Sequence, residues 1–393
     1  MLDQFKPLYT GDERQSLQFQ FTGKGGEYFA IWIVNLLLTI MTFGIYSPWA
    51  KVRREQYFHR NTLLDGHAFD YTGQPIKILI GRVLVLIVIG VNSVLKNIDV
   101  KFALAVTAFF ALSYPWVIVR SAKFRARNTR YRNIAFRFSG TTFQAVKAYA
   151  LLYVALAPMM GFSLYVAAYQ KLHGAKAVPP NLQWIMLSTM GASLVLFFVL
   201  WPLYQTKLQT FVHRNLHYGS AAGEFDGTAK DFFKAMLLIV GATLITIVAI
   251  ALVIFFGGIV VAMVKGAMGP AGGIMVMVLV MLAYSLLLIP YAAVAAHTMN
   301  TTYAHAALGG LRFESDMETA PYAKLLFTNL LLLVVTFGIA WPWTRVRLMR
   351  YRIENSGVLA QSDALDRVIA AASNEQSAIG EEAAEFLDFD LSL

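Results

Sequence analysis

The chain has 393 residues, of which 57% are hydrophobic and only 14% charged, with a mean hydropathy of +0.55. A soluble domain carries about 25% charged residues, so this composition excludes an ordinary globular protein and points to a membrane protein. The absence of cysteine excludes disulfides, thiolate metal sites and cysteine nucleophiles. A net charge of +10 fits the Lys/Arg excess of retained membrane loops better than a nucleic-acid partner.

Residues 1–27 are polar and contain the first F-x-F-x-G pattern, at Phe19. No short apolar core with a small-residue cleavage site precedes the first long apolar run, so a removable signal peptide is not expected. A helix needs roughly 20 apolar residues to cross a bilayer. The runs of that kind are Tyr28 to Trp49, Ile76 to Leu95, Phe102 to Val119, Tyr149 to Tyr169, Ile185 to Leu203, Ala235 to Val264, Ile274 to Ala296 and Leu325 to Trp343. They define a membrane domain over residues 28–355. Residues 356–393 read as an acidic, flexible or loosely helical tail.

The first and last apolar runs are near copies. Aligned without a gap, Tyr28 to Asn61 and Tyr322 to Asn355 share 15 of 34 residues, including Asn35/Asn329, Thr42/Thr336, Gly44/Gly338, Pro48/Pro342, Trp49/Trp343 and Tyr57/Tyr351. A fainter echo runs between them. Pro48, Pro115, Pro202 and Pro290 are each followed, 21 residues on, by FDYTG, FRFSG, GEFDG and LRFES respectively. Asparagine stands 13 residues after the proline at Asn61, Asn128, Asn215 and Asn355, with Tyr303 replacing it at the remaining junction. Constant spacing of this kind implies an internal repeat.

Each junction has the same expected anatomy. A proline, with tryptophan beside it at Trp49, Trp116 and Trp343, marks where an apolar helix meets the interface. A basic helix follows. Two short strands then surround Asp65-Gly66, Arg132-Asn133, Gly219-Ser220 or Gly309-Gly310, with Phe69 and Tyr71 on one face of the first hairpin. A lone hairpin is marginal in water, so the strands are expected to pair with one another or with the basic helices as a polar-side cap. Basic residues crowd into these junctions, whereas the opposite connections hold only Lys96, Lys101, Lys171, Lys176 and Lys265. If all junctions share one side, the single runs at Tyr28 and Leu325 either break near Thr42-Phe43-Gly44 and Thr336-Phe337-Gly338 and re-enter, or span and put their basic sequels outside. Re-entrant backbone requires protein cover.

The residues Phe19, Phe21, Gly23, Glu27, Tyr28 and Phe29, then N-x-L-L-T-x-x-T-x-G-I-Y-x-P-W from Asn35 to Trp49 and N-T-x-x-x-G from Asn61, resemble the YjgN family of bacterial multi-pass inner-membrane proteins. The resemblance covers roughly Leu17 to Asn355. It implies residence in the bacterial cytoplasmic membrane and supplies no catalytic residues. The expected fold is thus an all-α polytopic membrane protein built from internal repeats, with six to eight membrane segments, short β-hairpins at the cytoplasmic junctions and both termini cytoplasmic.

Candidate chemistry is sparse. His213 and His217 stand four apart, a metal-ligand spacing on a helix, but no carboxylate accompanies them. No phosphate loop or G-x-S-x-G elbow occurs, and the apolar runs hold no acidic residue, so neither an enzyme nor a carboxylate proton relay is expected. No cofactor is implied. Asn35 and Asn329, with Thr42 and Thr336, form a candidate intramembrane polar pair framing a transport path between pseudo-symmetric units; helix-helix hydrogen bonding is the plainer role. Arg82 and Asn92 are further polar residues within the second run. The alternative function is a membrane scaffold, its basic residues Arg53, Arg54, Arg125, Arg127, Arg345 and Arg347 holding anionic lipid or a partner protein.

Overall fold

The computed structural model describes residues 14–95, 100–174, 176–264, 285–361 and 363–375. Part of the expected run Ile274 to Ala296 lies outside these residues.

Strand formation follows the turn chemistry. β1 (Arg14–Gln18) and β2 (Gln20–Phe21) flank Phe19. Four hairpins follow: β3 (Thr62–Leu64) with β4 (His67–Tyr71), β5 (Thr129–Tyr131) with β6 (Ile134–Phe138), β7 (Leu216–Tyr218) with β8 (Ala221–Phe225), and β9 (Ala306–Leu308) with β10 (Leu311–Ser315). Asp65-Gly66, Arg132-Asn133 and Gly309-Gly310 each put two successive residues at positive φ, the geometry whose twist matches paired strands. Arg132 bears the steric cost of that conformation without being glycine. Its ion pairs to Asp65 (2.9 Å) and Asp366 (3.1 Å) hold it there.

The last strand, β11 (Ser356–Gln361), pairs with both β10 and β1, and the antiparallel order is β1-β11-β10-β9-β8-β7-β6-β5-β4-β3-β2. Because β1 and β2 are one run of chain, the two ends of this order are covalently joined. The sheet closes as a barrel with no free edge, which removes the template for edge-to-edge association. The closing register is Arg14↔Gln361 to Gln18↔Gly357 on one side and Gln20↔Leu63, Phe21↔Thr62 on the other.

Between strands the chain makes helices: α1 (Gly25–Met41), α2 (Ser47–Arg60), α3 (Pro75–Leu95), α4 (Val100–Asn128), α5 (Thr142–His173), α6 (Leu182–Arg214), α7 (Ala229–Val264), α8 (Leu288–Ala304), α9 (Thr319–Val335) and α10 (Trp341–Glu354). Each packs on its neighbour in the chain, and α1 packs on α10, so the helices also close a ring. That seam is aromatic: Phe29 lies 4.9 Å from Trp343, and Tyr28 and Trp32 each 6.3 Å from Trp341. The helix entering each hairpin packs on its second strand: α2 on β4, α4 on β6, α6 on β8, α8 on β10. α10 does the same with β2, completing a fifth strand pair from the two chain ends. Among the described residues three helices are long and apolar enough to cross a membrane: α5, α6 and Ala229–Gly258 of α7.

The two copied apolar runs are broken. Phe43 and Gly44, like Phe337 and Gly338, take positive φ, and the chain turns back. Thr42 Oγ1 donates to the Leu38 carbonyl (2.7 Å) and accepts from the Tyr46 amide (2.9 Å); Thr336 does the same with Leu332 (2.6 Å) and Ala340 (3.1 Å). The arms are antiparallel, since the Lys24 amide donates to the Tyr57 hydroxyl (2.7 Å) and the Glu318 amide to that of Tyr351 (3.2 Å). Phe43 and Phe337 at the two tips are 98% and 95% exposed.

Three expectations change. The fold is mostly helical but not all-α, because strands too short to stand alone share one closed sheet. The tail does not begin free at residue 356: β11 completes the barrel, and residues 364–375 form a further helix, α11. Its apolar residues at helical spacing, Leu365, Val368 and Ala372, join Leu64, Tyr131, Tyr218, Leu308 and Val358 in the barrel core, which outweighs the local acidity. Lastly, Pro115 and Pro202 do not end their helices. α4 and α6 run through them, whereas Pro48 and Pro342 begin α2 and α10, where the missing N–H costs nothing.

The F-x-G and Asn signals acquire a physical cause. A Cβ on Gly23, Gly73, Gly140 or Gly227 would lie 2.7, 2.5, 2.4 or 2.6 Å from the ring two residues earlier, so glycine lets Phe21, Tyr71, Phe138 and Phe225 fold over the chain. Asn61, Asn128, Asn215 and Asn355 each donate a side-chain N–H to the carbonyl four residues back (2.7 to 2.8 Å). Their own carbonyls accept from the amides of Thr22, Thr72, Ser139 and Asp316. At the fourth junction His305, not Tyr303, occupies this place: its carbonyl accepts from the Asp226 amide (3.2 Å) and its ring bonds Asp226 Oδ1 (2.8 Å).

Candidate functional site

The foot of the barrel, where strands meet helices, gathers most of the polar chemistry. On α4, Arg120, Lys123 and Arg127 recur at helical spacing and so share a face. With Lys77 and Gln74 from the start of α3, and Asn128, they line a cleft of about 580 Å³ that contains no carboxylate. Trp116, half exposed, has the Arg120 guanidinium 5.5 Å from its ring.

A second basic pocket, of about 240 Å³, lies between the first helical hairpin and α3. Lys51, Arg54 and Arg82 converge there with Asn35, Thr39 and Ser47. Arg82 donates to the Ser47 hydroxyl, and Arg54 pairs with Glu55 at 2.9 Å. The buried Asn35 Oδ1 has no hydrogen-bond partner among the described residues. Burial holds the Lys51 amine below its ordinary pKa; Glu55 opposes this, while Arg82, Arg54 and Arg125 add to it.

The equivalent Asn329 is differently engaged. Its amide donates to the Thr344 carbonyl (3.3 Å), and its oxygen accepts from Arg347 (2.9 Å), which also bonds Thr328 (3.0 Å). Asn35 and Asn329 therefore serve separate helical hairpins, and Thr42 and Thr336 hold the turns. Of the other sequence candidates, Arg53 lies over the Tyr46 ring (5.8 Å) and Arg345 over Trp341 (5.4 Å); Arg125 is exposed. Pro48, Pro115, Pro202, Pro290 and Pro342 are all buried. Trp49 stacks on Tyr46 at 6.1 Å.

Only Arg127 of the six named arginines joins the α4 cleft. Lys77, Arg120 and Lys123 escaped the sequence reading, although the spacing of 120, 123 and 127 on one helical face was there to be read. The histidine pair does not form a helical metal face: His213 ends α6 and stacks on Phe225, while His217 belongs to β7 and its Nε2 lies 2.9 Å from Ser139 Oγ. Among the described residues no group of three His, Asp or Glu is placed to hold a metal. Asn92 lies in α3, its side chain outside the described residues.

A third cavity, about 520 Å³, sits under the barrel core. It draws Phe58 and His59 from α2, Met299 and Tyr303 from α8, and Met349 and Arg352 from α10, with Phe19 and Phe69 of the barrel above. Arg352 donates to the Tyr322 hydroxyl through Nε (3.2 Å) and Nη2 (2.7 Å).

Comparison with known proteins places this architecture. No solved structure matches the chain. "Inner membrane protein YjgN" of Salmonella typhimurium is 25% identical over 366 residues, 88% of this chain and 89% of that protein. The protein of the same name from Escherichia coli K12 is 46% identical over 56 residues, 14% of each chain. A family described as bacterial proteins of unknown function, DUF898, matches residues 16–386. The chain, with its ring of helices beneath a closed barrel, belongs to the DUF898 family.

Proposed function

We propose that this protein is a non-enzymatic, multi-pass protein of the bacterial inner membrane that holds anionic lipid headgroups at the foot of its barrel. The observation that carries the reading is the α4 cleft, where Lys77, Arg120, Lys123 and Arg127 meet without a carboxylate. Four cations packed this way repel one another, and an anionic headgroup relieves that repulsion at about 1 kcal/mol per Lys or Arg near the surface. The second pocket, with Lys51, Arg54 and Arg82 in its lining, supports the same reading.

In this reading the five helix pairs are copies of one unit, and the three long spans belong to pairs that run out and back. The barrel and both termini face the cytoplasm. That orientation follows from the crowding of Lys and Arg on the barrel side, and the names of the YjgN relatives support the inner membrane. The two broken helical hairpins dip in from the same side, with Phe43 and Phe337 in the acyl region.

The test is native mass spectrometry of the full chain, with phosphatidylglycerol and phosphatidylcholine as competing lipids. Wild type retains the anionic lipid selectively. The triple variant Arg120→Gln/Lys123→Gln/Arg127→Gln loses about two orders of magnitude of that preference, the equivalent of ~3 kcal/mol. An unchanged preference refutes the proposal.

A transport path along the ring axis is the second reading, favoured by the closure of the helices into a ring. The barrel is filled by side chains and by α11, so solute passage through it requires α11 to leave. Flux in reconstituted vesicles that rises when residues 362–393 are deleted supports this reading; no flux for either chain removes it.

A further inference from the structure

We infer that the cavity beneath the barrel is a binding site for a single-chain anionic amphiphile, its carboxylate seated on Arg352 and Tyr303 and its chain lying among the rings and methionines. Three features converge. Arg352, half-buried, has only the neutral Tyr322 hydroxyl and ring as close partners, and among the described residues no carboxylate lies within ion-pair distance of it. An enclosed guanidinium without a counter-ion is costly, and a bound carboxylate, which its planar donor fork fits, satisfies it.

Tyr303 is the second feature. Two residues before the His305 that fills the asparagine place, its phenol lines the cavity, its hydroxyl without a protein hydrogen bond among the described residues. Burial pushes its pKa up, so it remains a proton donor to an anion.

The third is the lining. Phe19, Phe58, Phe69, Met299, Met349 and Ile353 make much of the remaining wall apolar, with the polar His59, Thr62, Thr129 and Ser356 among them, and about 520 Å³ is the volume of a drug-sized pocket. One guanidinium and one phenol match a singly charged head, and such a space suits one chain rather than the two of a membrane phospholipid. This site is separate from the α4 cleft, which takes phosphate headgroups from the outside of the ring.

The test compares palmitate with hexadecanol, the same chain with an uncharged head, binding to the purified full chain in a non-ionic detergent by competition with a spin-labelled fatty acid. Wild type is expected to prefer palmitate by tenfold or more. Arg352→Gln abolishes the preference while hexadecanol binding persists, and Tyr303→Phe reduces it by a smaller factor. Met349→Trp, which fills the cavity without altering charge, removes both ligands. Arg120→Gln/Lys123→Gln/Arg127→Gln leaves palmitate binding intact, which separates this site from the headgroup cleft. Equal binding of palmitate and hexadecanol to wild type, or an undiminished preference in Arg352→Gln, overturns the inference. If Arg352→Gln fails to fold, Met349→Trp decides: a filled cavity that still binds palmitate refutes the site.

Discussion

The pairing of the two chain ends offers a sharp test of the architecture, because the natural chain has no cysteine to confuse a cross-link. Ser16 in β1 stands opposite Leu359 in β11. Directly opposed residues in an antiparallel pair have Cα atoms about 4.5 to 5.5 Å apart with side chains on one face. A disulfide tolerates a Cα separation of about 4.4 to 6.8 Å, so Ser16→Cys/Leu359→Cys closes without moving backbone. Moving the second cysteine to Ser356 displaces it three residues along the strand, about 10 Å, and turns it to the other face. Mild oxidation of membranes, read as a gel shift reversed by reductant, is expected to cross-link the first pair nearly completely and the second hardly at all. The closed loop spans almost the whole chain, and chain entropy alone sets its stabilisation at about 6 kcal/mol. A rise in thermal stability of the purified oxidised protein follows, lost on reduction. Equal cross-linking of both pairs, or none, would refute the closed barrel.

Other substitutions test the local causes. Gly140→Ala places a Cβ 2.4 Å from the buried Phe138 ring and 3.0 Å from Phe211, an overpacking cost of ~1–3 kcal/mol. Gly26→Ala, with open space around it in α1, is neutral or stabilising by up to ~1 kcal/mol; denaturant midpoints of the two variants compare them. Tyr57→Phe removes the hydroxyl that accepts from the Lys24 amide (2.7 Å) and donates to the Lys24 carbonyl (2.8 Å) and Glu27 Oε2 (3.3 Å), and is expected to cost ~1–3 kcal/mol. The Tyr57 phenol is pushed up to about 12 by burial, with Glu27 adding to the shift. Its ionisation therefore costs stability as pH rises above 10, where the unfolded phenol releases its proton first, and Tyr57→Phe flattens that alkaline limb. Burial, with Arg137 beside it, lowers the His217 pKa against the opposing pull of Glu375. The folded state thus favours neutral imidazole, and stability present above about pH 6.5 declines below it as the unfolded chain binds the proton first. His217→Gln reduces that acid sensitivity in melting curves from pH 7.5 to 5.5.

Local signals carried a good part of the fold. Asp65-Gly66, Arg132-Asn133 and Gly309-Gly310 require backbone that few other turns supply, so the hairpins were visible one at a time. The long apolar runs announced membrane helices because an apolar segment of that length is costly to expose to water. The break at Thr42-Phe43-Gly44 was visible as one of two choices, and the threonine hydroxyl that ties the turn decided it. The cations of the α4 cleft were half legible: a run of Lys and Arg was plain, but which of them share a cleft depends on the packing of α3 against α4.

Barrel closure was hidden. Strands of three and five residues carry no statement of their partners, and β1 meets β11 across almost the entire chain, a pairing that no local preference encodes. The fate of α11 was hidden for the same reason: Leu365, Val368 and Ala372 look like sparse apolar residues in an acidic tail until the open mouth of a barrel is there to receive them. Pairing, register and enclosure are long-range properties, fixed by burial of apolar area and by the hydrogen bonds that burial obliges. Composition, periodicity and turn chemistry are short-range. For this protein the amino-acid order determined which pieces form, and only tertiary structure decided that they join in a ring and leave the Arg352 guanidinium without a carboxylate partner among the described residues.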